Sequence, residues 1–284
     1  MTKPFVVACI QTNAGSALAP NLAAASALVL KAREKGADFI LLPENVAMMA
    51  AGRKAIFAHA KPEEAHPALA HFRALAKETE AWLLVGSLAV QLHEGGLVNH
   101  VANRSFLLDG TGTIIARYDK IHMFDADLEN GESYKESDTY RSGERAVLAE
   151  TPWGDVGMTI CYDLRFPHLY RALAKAGASY FAVPSAFTRV TGKAHWHALL
   201  RSRAIENGAY VFAPAQCGTH GRRQTFGHAL IVDPWGEVLG DGGDSPGIVL
   251  AGIDLSKVAA ARRKIPSLQH DRPFVLSSKA KPSG

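Results

Sequence analysis

Cysteine is scarce in this sequence. Only Cys9, Cys161 and Cys217 occur among 284 residues, and none of them stands in a C-x-x-C pattern. Three cysteines cannot all pair within one chain, and their spacing matches no cysteine-rich metal site, so the composition fits free thiols. Free thiols are typical of a reducing compartment, and we therefore expect a cytoplasmic protein.

Long apolar runs are also missing. No window approaches the roughly 18 to 20 apolar residues that a transmembrane helix requires. The N-terminus enters a strand-like run at once, without a basic region followed by an apolar one, as a signal peptide would have. We therefore expect a soluble intracellular protein that has no membrane partner.

The sequence contains no long run of residues with the same charge. The formal net charge is +4, and the longest basic clusters, 222–223 and 262–264, are short. Such clusters are more typical of solvated faces than of a nucleic-acid surface, so no nucleic-acid partner is predicted. The composition, with 48% hydrophobic residues, is ordinary for a globular protein and provides for a large core.

Strands and helices alternate along the chain. Helical spacing of apolar residues predicts helices over 21–35, 63–80, 167–175 and 194–206. Short apolar runs predict strands over 5–11, 38–42, 82–92, 100–108, 114–120, 156–161, 180–184, 210–216, 228–233 and 248–253. Several strands are apolar throughout, which implies sheets covered by helices. The pattern predicts an α/β fold, in which two sheets packed face to face inside two helical layers form an α-β-β-α sandwich.

No linker or low-complexity segment divides the chain. We predict one domain over residues 1–265 and a polar C-terminal tail over 266–284 that belongs to the same unit. Residues 121–145 are polar and poorly periodic, and a long loop of this kind within a compact domain is usually functional. The residues Asp-Pro-Trp-Gly at 233–236 predict a tight turn.

Cys161 stands where an apolar strand is predicted to turn into a helix. Pro167 suits the first turn of that helix, because its missing N–H is not needed there. Backbone N–H groups at such an elbow favour negative charge on a thiolate or on a neighbouring oxyanion. A single cysteine at a strand end is nevertheless more often a buried apolar residue, and Cys217 is predicted to be one.

Two other strand ends carry polar residues that would suit a catalytic thiol. Glu44 follows one apolar strand, and Lys120 ends another. A cysteine thiol needs a base, and the oxyanion formed next to it needs a positive charge and a backbone donor. The base must later return its proton to a leaving amine. Together, Glu44, Lys120 and Cys161 supply what thiol-based amide hydrolysis requires.

Three motifs with this order and spacing resemble the signatures of the nitrilase (carbon–nitrogen hydrolase) superfamily. They are Leu-Pro-Glu at 42–44, Lys-Ile-His-x-Phe-Asp at 120–125 and Cys-Tyr-Asp-x-Arg-Phe-Pro at 161–167. Further stretches resemble the branch that holds deaminated-glutathione amidase and ω-amidase, namely 184–187, 191–196, 201–206, 215–218, 227–228 and 233–236. The resemblance spans nearly the whole chain.

The resemblance implies a nitrilase-like four-layer α-β-β-α sandwich, a Glu-Lys-Cys triad and no cofactor. Cys161 would be the nucleophile and Glu44 the general base. Lys120 and the backbone N–H of Tyr162 would stabilise the tetrahedral intermediate. Glu136, in the loop after the lysine, would be a supporting carboxylate.

Arg165 is the candidate for recognising the acid part of a substrate, because guanidinium binds carboxylate with two hydrogen bonds. From the sequence, a structural pairing of Arg165 with a local carboxylate such as Asp163 is about equally plausible. In similar enzymes of this branch the arginine lines the pocket together with residues that match Phe187 and Thr191.

The resemblance implies a small-molecule amide substrate that bears a carboxylate. We expect deaminated glutathione, cleaved to 2-oxoglutarate and Cys-Gly. An ω-amidase acting on α-ketoglutaramate or α-ketosuccinamate is one alternative. A nitrilase or N-carbamoyl hydrolase is a second, and a catalytically silent binding protein is a third, although the intact triad argues against it.

Two further expectations concern metals and assembly. His195 and His197 are two positions apart on a predicted helix, so their side chains point about 200° apart and no metal site is predicted. The tail is too polar to form its own core. In similar proteins such arms pack across a dimer, so we expect a homodimer or a higher homo-oligomer.

Overall fold

The structure is a computed structural model that describes residues 4–49, 52–94, 97–128 and 131–277. Within these ranges no helix is long and apolar enough to cross a membrane. The helices are α1 (Leu18–Glu34), α2 (Arg53–His59), α3 (Pro67–Thr79), α4 (Pro167–Ala176), α5 (Arg189–Asn207) and α6 (Ser256–Lys264), with 3₁₀ turns at Glu63–Ala65, Glu136–Asp138 and Cys161–Arg165.

Most strands are short and rich in β-branched or aromatic residues, which suits a buried pleated surface. They are β1 (Phe5–Thr12), β2 (Phe39–Leu41), β3 (Trp82–Glu94), β4 (Leu97–Leu108), β5 (Ile114–Asp119), β6 (Asp125–Asp127), β7 (Ser133–Lys135), β8 (Val147–Thr151), β9 (Gly154–Met158), β10 (Tyr180–Ala182), β11 (Tyr210–Ala213), β12 (Ala215–His220), β13 (Arg223–Phe226), β14 (Leu230–Val232), β15 (Val238–Asp241) and β16 (Gly247–Ile253).

Two mixed sheets carry the fold. The first has the order β13-β12-β1-β2-β3-β4-β5, with β16 also paired to β1, and β1, β2 and β3 run parallel. The second has the order β15-β14-β11-β10-β9-β8, with β9, β10 and β11 parallel. A small separate hairpin joins β6 to β7. The carboxyl ends of parallel neighbours meet at one edge of each sheet, and this edge is where polar residues follow the strands.

The two faces of β1 show how the layers form. Val7 and Cys9 belong to the core between the sheets, where Phe5 and Phe39 contact Tyr180 of the second sheet. The intervening Ala8 and Ile10 belong instead to the core that α1 and α3 share with the first sheet. Alternate residues of a strand point to opposite faces, so the chain buries both.

Helices α4 and α5 cover the other face of the second sheet. Leu169 and Tyr170 of α4 and Trp196 and Leu200 of α5 lie in the same buried core as β9, β10 and β11. Helices therefore cover the outer face of each sheet. The predicted four-layer α-β-β-α sandwich is confirmed.

One predicted strand proves to be two. The run 210–216 divides at Pro214 into β11, which belongs to the second sheet, and β12, which belongs to the first. Proline has no N–H to give to a ladder, and the chain leaves one sheet for the other at this residue. The carbonyl of Pro214 accepts a hydrogen bond from the N–H of Ser185 (3.0 Å). Apolar periodicity cannot show such a change of sheet.

Other boundaries differ from the predictions in smaller ways. The helix predicted over 63–80 is a 3₁₀ turn followed by α3, because Pro67 starts a new helix. Helix α5 begins at Arg189, before the predicted residue 194, and the loop 121–145 contains β6, β7 and a 3₁₀ turn. Helices α2 and α6 and strands β8, β13 and β15 were not predicted, since they are short or weakly periodic.

The first part of the C-terminal tail contacts the body of the protein. The guanidinium of Arg171 in α4 donates to the carbonyl of Ser267 and to the carboxylate of Asp271, and Lys175 pairs with the same carboxylate. Beyond these contacts, Phe274, Val275 and Leu276 are almost fully exposed. The division into a domain and a tail remains a prediction, and residues 278–284 lie outside the described ranges.

Candidate active site

Cys161 lies at a sharp elbow between the second sheet and α4. Strand β9 ends at Met158, so the predicted strand over 156–161 is wrong at its end, and Cys161 instead begins the 3₁₀ turn. Its φ of 49° is left-handed, a conformation that costs free energy in a residue other than glycine and that clusters at functional sites. The N–H of Cys161 donates to the carbonyl of Pro184 (3.0 Å), which fixes the elbow to the next strand end.

Asp163 holds the elbow from within. It is fully buried and accepts hydrogen bonds from the N–H of Ile160 (2.9 Å) and the hydroxyl of Tyr118 (2.7 Å). The backbone N–H of His122 (3.0 Å) and its Nδ1 (2.7 Å) complete the set. With its oxygens engaged in this way, Asp163 does not pair with Arg165. The pairing of Arg165 with Asp163, named above as a structural alternative, is therefore not formed.

Lys120 lies between two carboxylates. Its Nζ is 3.0 Å from Oε1 of Glu44, and 3.0 and 2.8 Å from the two carboxylate oxygens of Glu136. The lysine side chain is only 2% exposed. Glu44 follows β2, Lys120 follows β5 and Cys161 follows β9, so the carboxyl ends of three strands bring these groups together.

The chain fixes Glu44 from several directions. Its Oε2 accepts a hydrogen bond from the N–H of Ala186 (2.8 Å), and its carbonyl accepts one from Nε2 of Gln216 (3.0 Å). The next residue, Asn45, has a left-handed φ of 54° and donates its N–H to the hydroxyl of Ser87 (2.9 Å). These bonds aim the carboxylate at the interior of the site.

Asn103 belongs to the same network, and sequence reasoning missed it. From β4, its Nδ2 donates to Oε1 of Glu44 (2.9 Å) and to Oε1 of Glu136 (3.2 Å). It therefore bridges the two carboxylates on either side of Lys120. The sequence offers one weak signal, an amide within a predicted strand. The structure shows that Asn103 is buried, and only its partners reveal its place in the site.

The electrostatic environment sets the protonation states of Cys161 and Lys120. Burial raises the pKa of the Cys161 thiol well above its ordinary value, the Glu44 carboxylate raises it further, and Lys120 offsets only part of this. For Lys120, burial opposes the charge, but Glu136 and Glu44 outweigh it and hold the pKa above its ordinary value. The resting site therefore contains a neutral thiol and an ammonium.

The three predicted substrate-binding residues lie together beside the cysteine. Arg165, Phe187 and Thr191 line one small pocket with Cys161. The Cζ of Arg165 is 5.3 Å from the ring centroid of Phe187, and its Nη2 is 3.3 Å from Nδ1 of His195. The pocket thus presents a guanidinium on an aromatic wall close to the thiol.

A second and larger cavity of about 350 Å³ also opens onto Cys161. Its inner end holds Glu44, Lys120 and Glu136, and its walls come from α2, from the loop that carries β6 and β7, and from β13. The long polar loop predicted to be functional therefore forms part of the wall of this site.

The two histidines near the start of α5 have different neighbours. His195 contacts Arg165, whereas Nε2 of His197 is 2.9 Å from Oδ2 of Asp241. Nδ1 of His228 is 2.8 Å from the other oxygen of Asp241. In the described part of the chain, His197, His228 and Asp241 are the group whose atoms could hold a metal ion, lying within 4.8 Å of one another. The absence of a metal stays a prediction.

The cysteines other than Cys161 lie in the core. Cys217 is 1% exposed in β12, and burial raises the pKa of its thiol to about 11. Cys9 is fully buried in β1, and burial raises its pKa further still. All three cysteines are free. A protonated, buried thiol such as Cys217 is a packing residue and an inert one.

The fold and this site together define a hydrolase of the nitrilase type, with a cysteine, a lysine and two glutamates gathered where the strands of an α-β-β-α sandwich end. The profile of the carbon-nitrogen hydrolase family matches residues 6–263. The chain belongs to this family and is an amide-hydrolysing enzyme.

Known proteins agree with this assignment over nearly the full chain. The deaminated glutathione amidase of Yersinia enterocolitica is 41% identical over 273 residues, covering 95% of this chain and 94% of the relative. The NitFhit protein of C. elegans has a TM-score of 0.86 at 34% identity, covering 95% of this chain and 66% of that longer one. A branch 10 nitrilase-superfamily protein of Saccharomyces cerevisiae has a TM-score of 0.83 at 27% identity, covering 93% and 95% of the two chains.

Proposed function

We propose that this enzyme hydrolyses deaminated glutathione to 2-oxoglutarate and Cys-Gly through a thioester on Cys161. The observation that carries the proposal is a buried cluster of Cys161, Glu44 and Lys120 at the inner end of a cavity of about 350 Å³. The relative from Yersinia enterocolitica, which is a deaminated glutathione amidase, supports the choice of substrate.

In the first half of the reaction, Glu44 takes the proton of the Cys161 thiol as Sγ attacks the amide carbonyl carbon. A base is needed because burial and the nearby carboxylate keep the resting thiol protonated. The carbonyl oxygen becomes an oxyanion, which the Lys120 ammonium and the N–H of Tyr162 stabilise. Glu44 then gives its proton to the leaving amine, the carbon–nitrogen bond breaks, and the acyl group stays on Sγ as a thioester.

In the second half, Glu44 takes a proton from a water molecule that attacks the thioester carbonyl. The same oxyanion contacts operate again, the carbon–sulfur bond breaks, and the proton returns to Sγ. The product is a carboxylic acid and the thiol is restored. One base therefore acts twice, which explains why Glu44 is held by both Ala186 and Asn103.

Glu136 and Asn103 have positioning roles in this scheme. Glu136 contacts Nζ of Lys120 with both oxygens, and its Oε2 also accepts from the N–H of Phe124 (2.7 Å). Glu136 raises the pKa of Lys120 more than Glu44 does, so we expect its charge to keep the lysine protonated when Glu44 accepts a proton. The ammonium therefore remains available to the oxyanion at the moment when it forms.

Arg165 is proposed to bind the carboxylate of the 2-oxo acid part. Its guanidinium lies beside Phe187 in the pocket next to Cys161, and no carboxylate in the described ranges forms an ion pair with it. A planar guanidinium matches a carboxylate with two parallel hydrogen bonds. Thr191 completes the wall of this pocket.

A substrate panel tests the proposal. We expect kcat/KM for deaminated glutathione to exceed that for α-ketoglutaramate, and nitriles and N-carbamoyl amino acids to be poor substrates. The Cys161→Ala variant should lose several orders of magnitude in rate with an unchanged fold. Equal values for the two amides, or a preference for α-ketoglutaramate, would favour an ω-amidase. Failure to hydrolyse any member of the panel would favour the silent binding protein.

We propose in addition a cytoplasmic location and a homo-oligomeric state. The three free cysteines support a reducing compartment. The adjacent Phe274, Val275 and Leu276 are 89%, 93% and 88% exposed in the single chain, and a contiguous apolar segment of this kind is typical of an interaction site. Sedimentation of the full chain and of a variant ending at residue 272 tests this: the full chain should be a dimer or larger, and a monomeric full chain would contradict it.

A further inference from the structure

Two pockets meet at the nucleophile, and each contains arginine. The smaller one holds Arg165, and the larger one holds Arg53 and Arg223. Both pockets are lined by Cys161, and also by Phe124, Ala186 and Thr188. The two pockets therefore adjoin at the thiol, and a substrate attached there faces both.

The chemistry of a thioester enzyme separates the two parts of an amide. The acyl part stays on Sγ, and the amine part leaves after the carbon–nitrogen bond breaks. If the acyl carboxylate lies against Arg165, the amine part extends into the larger cavity. A volume of about 350 Å³ is far more than ammonia requires, so this cavity suits an amine of dipeptide size.

The charges of the larger cavity outside the catalytic cluster favour an anion. Arg53, Arg223 and Lys135 line it, with Asp138 as the opposing carboxylate. Three cations against one carboxylate leave an excess of two positive charges there. Within the described residues, neither Arg53 nor Arg223 forms an ion pair, and Arg53 instead donates to the carbonyl of Asp138. The two guanidinium groups therefore remain available for a ligand carboxylate.

Arg223 contacts an aromatic side chain that itself lines the cavity. It begins β13, and its Cζ lies 4.5 Å from the ring centroid of Tyr134, a residue that also lines the cavity. Stacking on an aromatic face reduces the freedom of a long side chain and leaves its N–H groups at the edge free to bind. Arg53 contacts the ring of Phe57 on α2 (4.9 Å).

We propose that the larger cavity is a leaving-group site in which Arg223, assisted by Arg53, binds the terminal carboxylate of the amine part. The substrate class is then an amide of a 2-oxo acid with an amino acid or a short peptide that has a free carboxyl end. This inference rests on the proposed function, because it assumes the same active site. It adds the residues by which that site would recognise the amide of a dipeptide over a simple amide.

The test compares two substrates that have the same acyl part. Deaminated glutathione releases Cys-Gly, and α-ketoglutaramate releases ammonia. Arg223→Gln should lower kcat/KM for deaminated glutathione by roughly 10- to 100-fold, the usual effect of losing a charged hydrogen-bond pair. Hydrolysis of α-ketoglutaramate should stay within about twofold, because ammonia makes no contact with Arg223. Arg53→Gln should act in the same direction with a smaller effect.

The matched control is Arg222→Gln, which removes the neighbouring arginine; it is exposed, as Arg223 is, but it does not line the cavity. It should leave both substrates unchanged. A deaminated glutathione analogue with a terminal carboxamide should be poor with the parent enzyme and insensitive to Arg223→Gln. Equal losses for both amides, or a carboxamide analogue as good as the acid, would overturn the proposal.

A binding measurement separates this inference from the proposed function. In the Cys161→Ala background, calorimetry of deaminated glutathione should give a Kd that rises at least about tenfold with Arg223→Gln. That result would support the leaving-group site even if the parent enzyme preferred another amide. A Kd that does not change with Arg223→Gln, together with normal hydrolysis of deaminated glutathione by the parent enzyme, would refute the leaving-group site and leave the proposed function intact.

Discussion

At the scale of single residues, the site depends on one ammonium between two carboxylates. Lys120 is buried, and a buried charge is tolerated only where opposite charges and hydrogen bonds compensate it. Glu44 and Glu136 supply both, and Asn103 donates to one oxygen of each carboxylate. The lysine thus stays charged although its side chain is only 2% exposed, and a fixed buried charge is what the proposed oxyanion would need.

Lys120→Gln should lower kcat/KM by at least about 100-fold, which is the usual effect of removing one oxyanion donor. Lys120→Arg should fail as well, because a planar guanidinium cannot take the place of a compact ammonium in a site this tightly enclosed. Steady-state kinetics measures both, and circular dichroism checks that each variant is folded. A fully active arginine variant would show that the lysine serves only the structure.

Removing the charge of Glu44 should make the Cys161 thiol more reactive towards an alkylating agent while it abolishes hydrolysis. Burial raises the pKa of Cys161 first and the Glu44 carboxylate raises it further, so removing that negative charge in Glu44→Gln should lower the thiol pKa. More thiolate is then present at a given pH, and iodoacetamide should modify Cys161 faster at pH 8, while hydrolysis is lost with the base.

The measurement is the rate of modification of Cys161 from pH 7 to 10, followed by peptide mass. In the parent enzyme the rate should still be rising above pH 9, because the folded pKa stands above that value. In Glu44→Gln the curve should move to lower pH. An unchanged curve would mean that the Glu44 carboxylate does not influence the pKa of the thiol. Modification of Cys217 alone would show that the reactive thiol is Cys217 and not Cys161.

At the scale of elements, the position of Glu44 depends on how closely β3 approaches the end of β2. A Cβ on Gly86 would lie 2.1 Å from the carbonyl oxygen of Leu42 and 2.3 Å from that of Pro43. These are backbone atoms of the segment that leads directly into Glu44. The irregularity in the β3–β4 ladder between Val85 and Leu88 falls at the same place. Glycine is therefore required for this approach.

Gly86→Ala should lower the free energy of unfolding by about 1–3 kcal/mol, the usual effect of overpacking, and should displace Glu44. Activity should fall more than the stability alone explains. Gly252→Ala is the matched control, since Gly252 also lies in a strand of the first sheet and its Cβ would meet nothing within 4 Å. Urea unfolding and kcat together test this, and a normal kcat in Gly86→Ala would contradict it.

At the scale of the whole molecule, the C-terminal tail is fastened by charge. Asp271 pairs with Arg171 and Lys175 of α4, and the hydrogen bonds from these two residues lower the pKa of Asp271 from 3.8 to about 2. A carboxyl group whose pKa is lower in the folded state stabilises that state above its unfolded pKa. The contribution is therefore present above about pH 4 and is lost as the pH falls towards 2.

Hydrogen exchange of residues 266–272 should show this loss directly. After correction for the intrinsic rate, protection of the tail should decrease between pH 4 and 2 in the parent enzyme. Asp271→Asn should show lower protection that hardly depends on pH over this range. Because the pair is exposed, salt should weaken it too. Protection that is equal in the two proteins at pH 6 would show that the ion pair does not hold the tail.

Local sequence determined much of what this protein is. Apolar runs located the principal strands, and short motifs marked Glu44, Lys120 and Cys161, which the structure brings together; their roles remain predictions. Such motifs can be recognised in the sequence because each polar residue comes shortly after the strand that positions it. The fold class followed for the same reason, since alternating strands and helices leave few arrangements that bury every apolar face.

Only the tertiary structure decided how distant residues meet. Asn103 bridges Glu44 and Glu136. Asp163 accepts hydrogen bonds that hold the elbow and does not pair with Arg165. The run 210–216 passes from one sheet to the other at Pro214. Each of these facts depends on contacts between segments far apart in sequence, and local propensity contains no information about them. The second pocket, with Arg223, is of the same kind: its walls come from α2, the long loop and β13, which are far apart in sequence and which only the folded chain brings to one place.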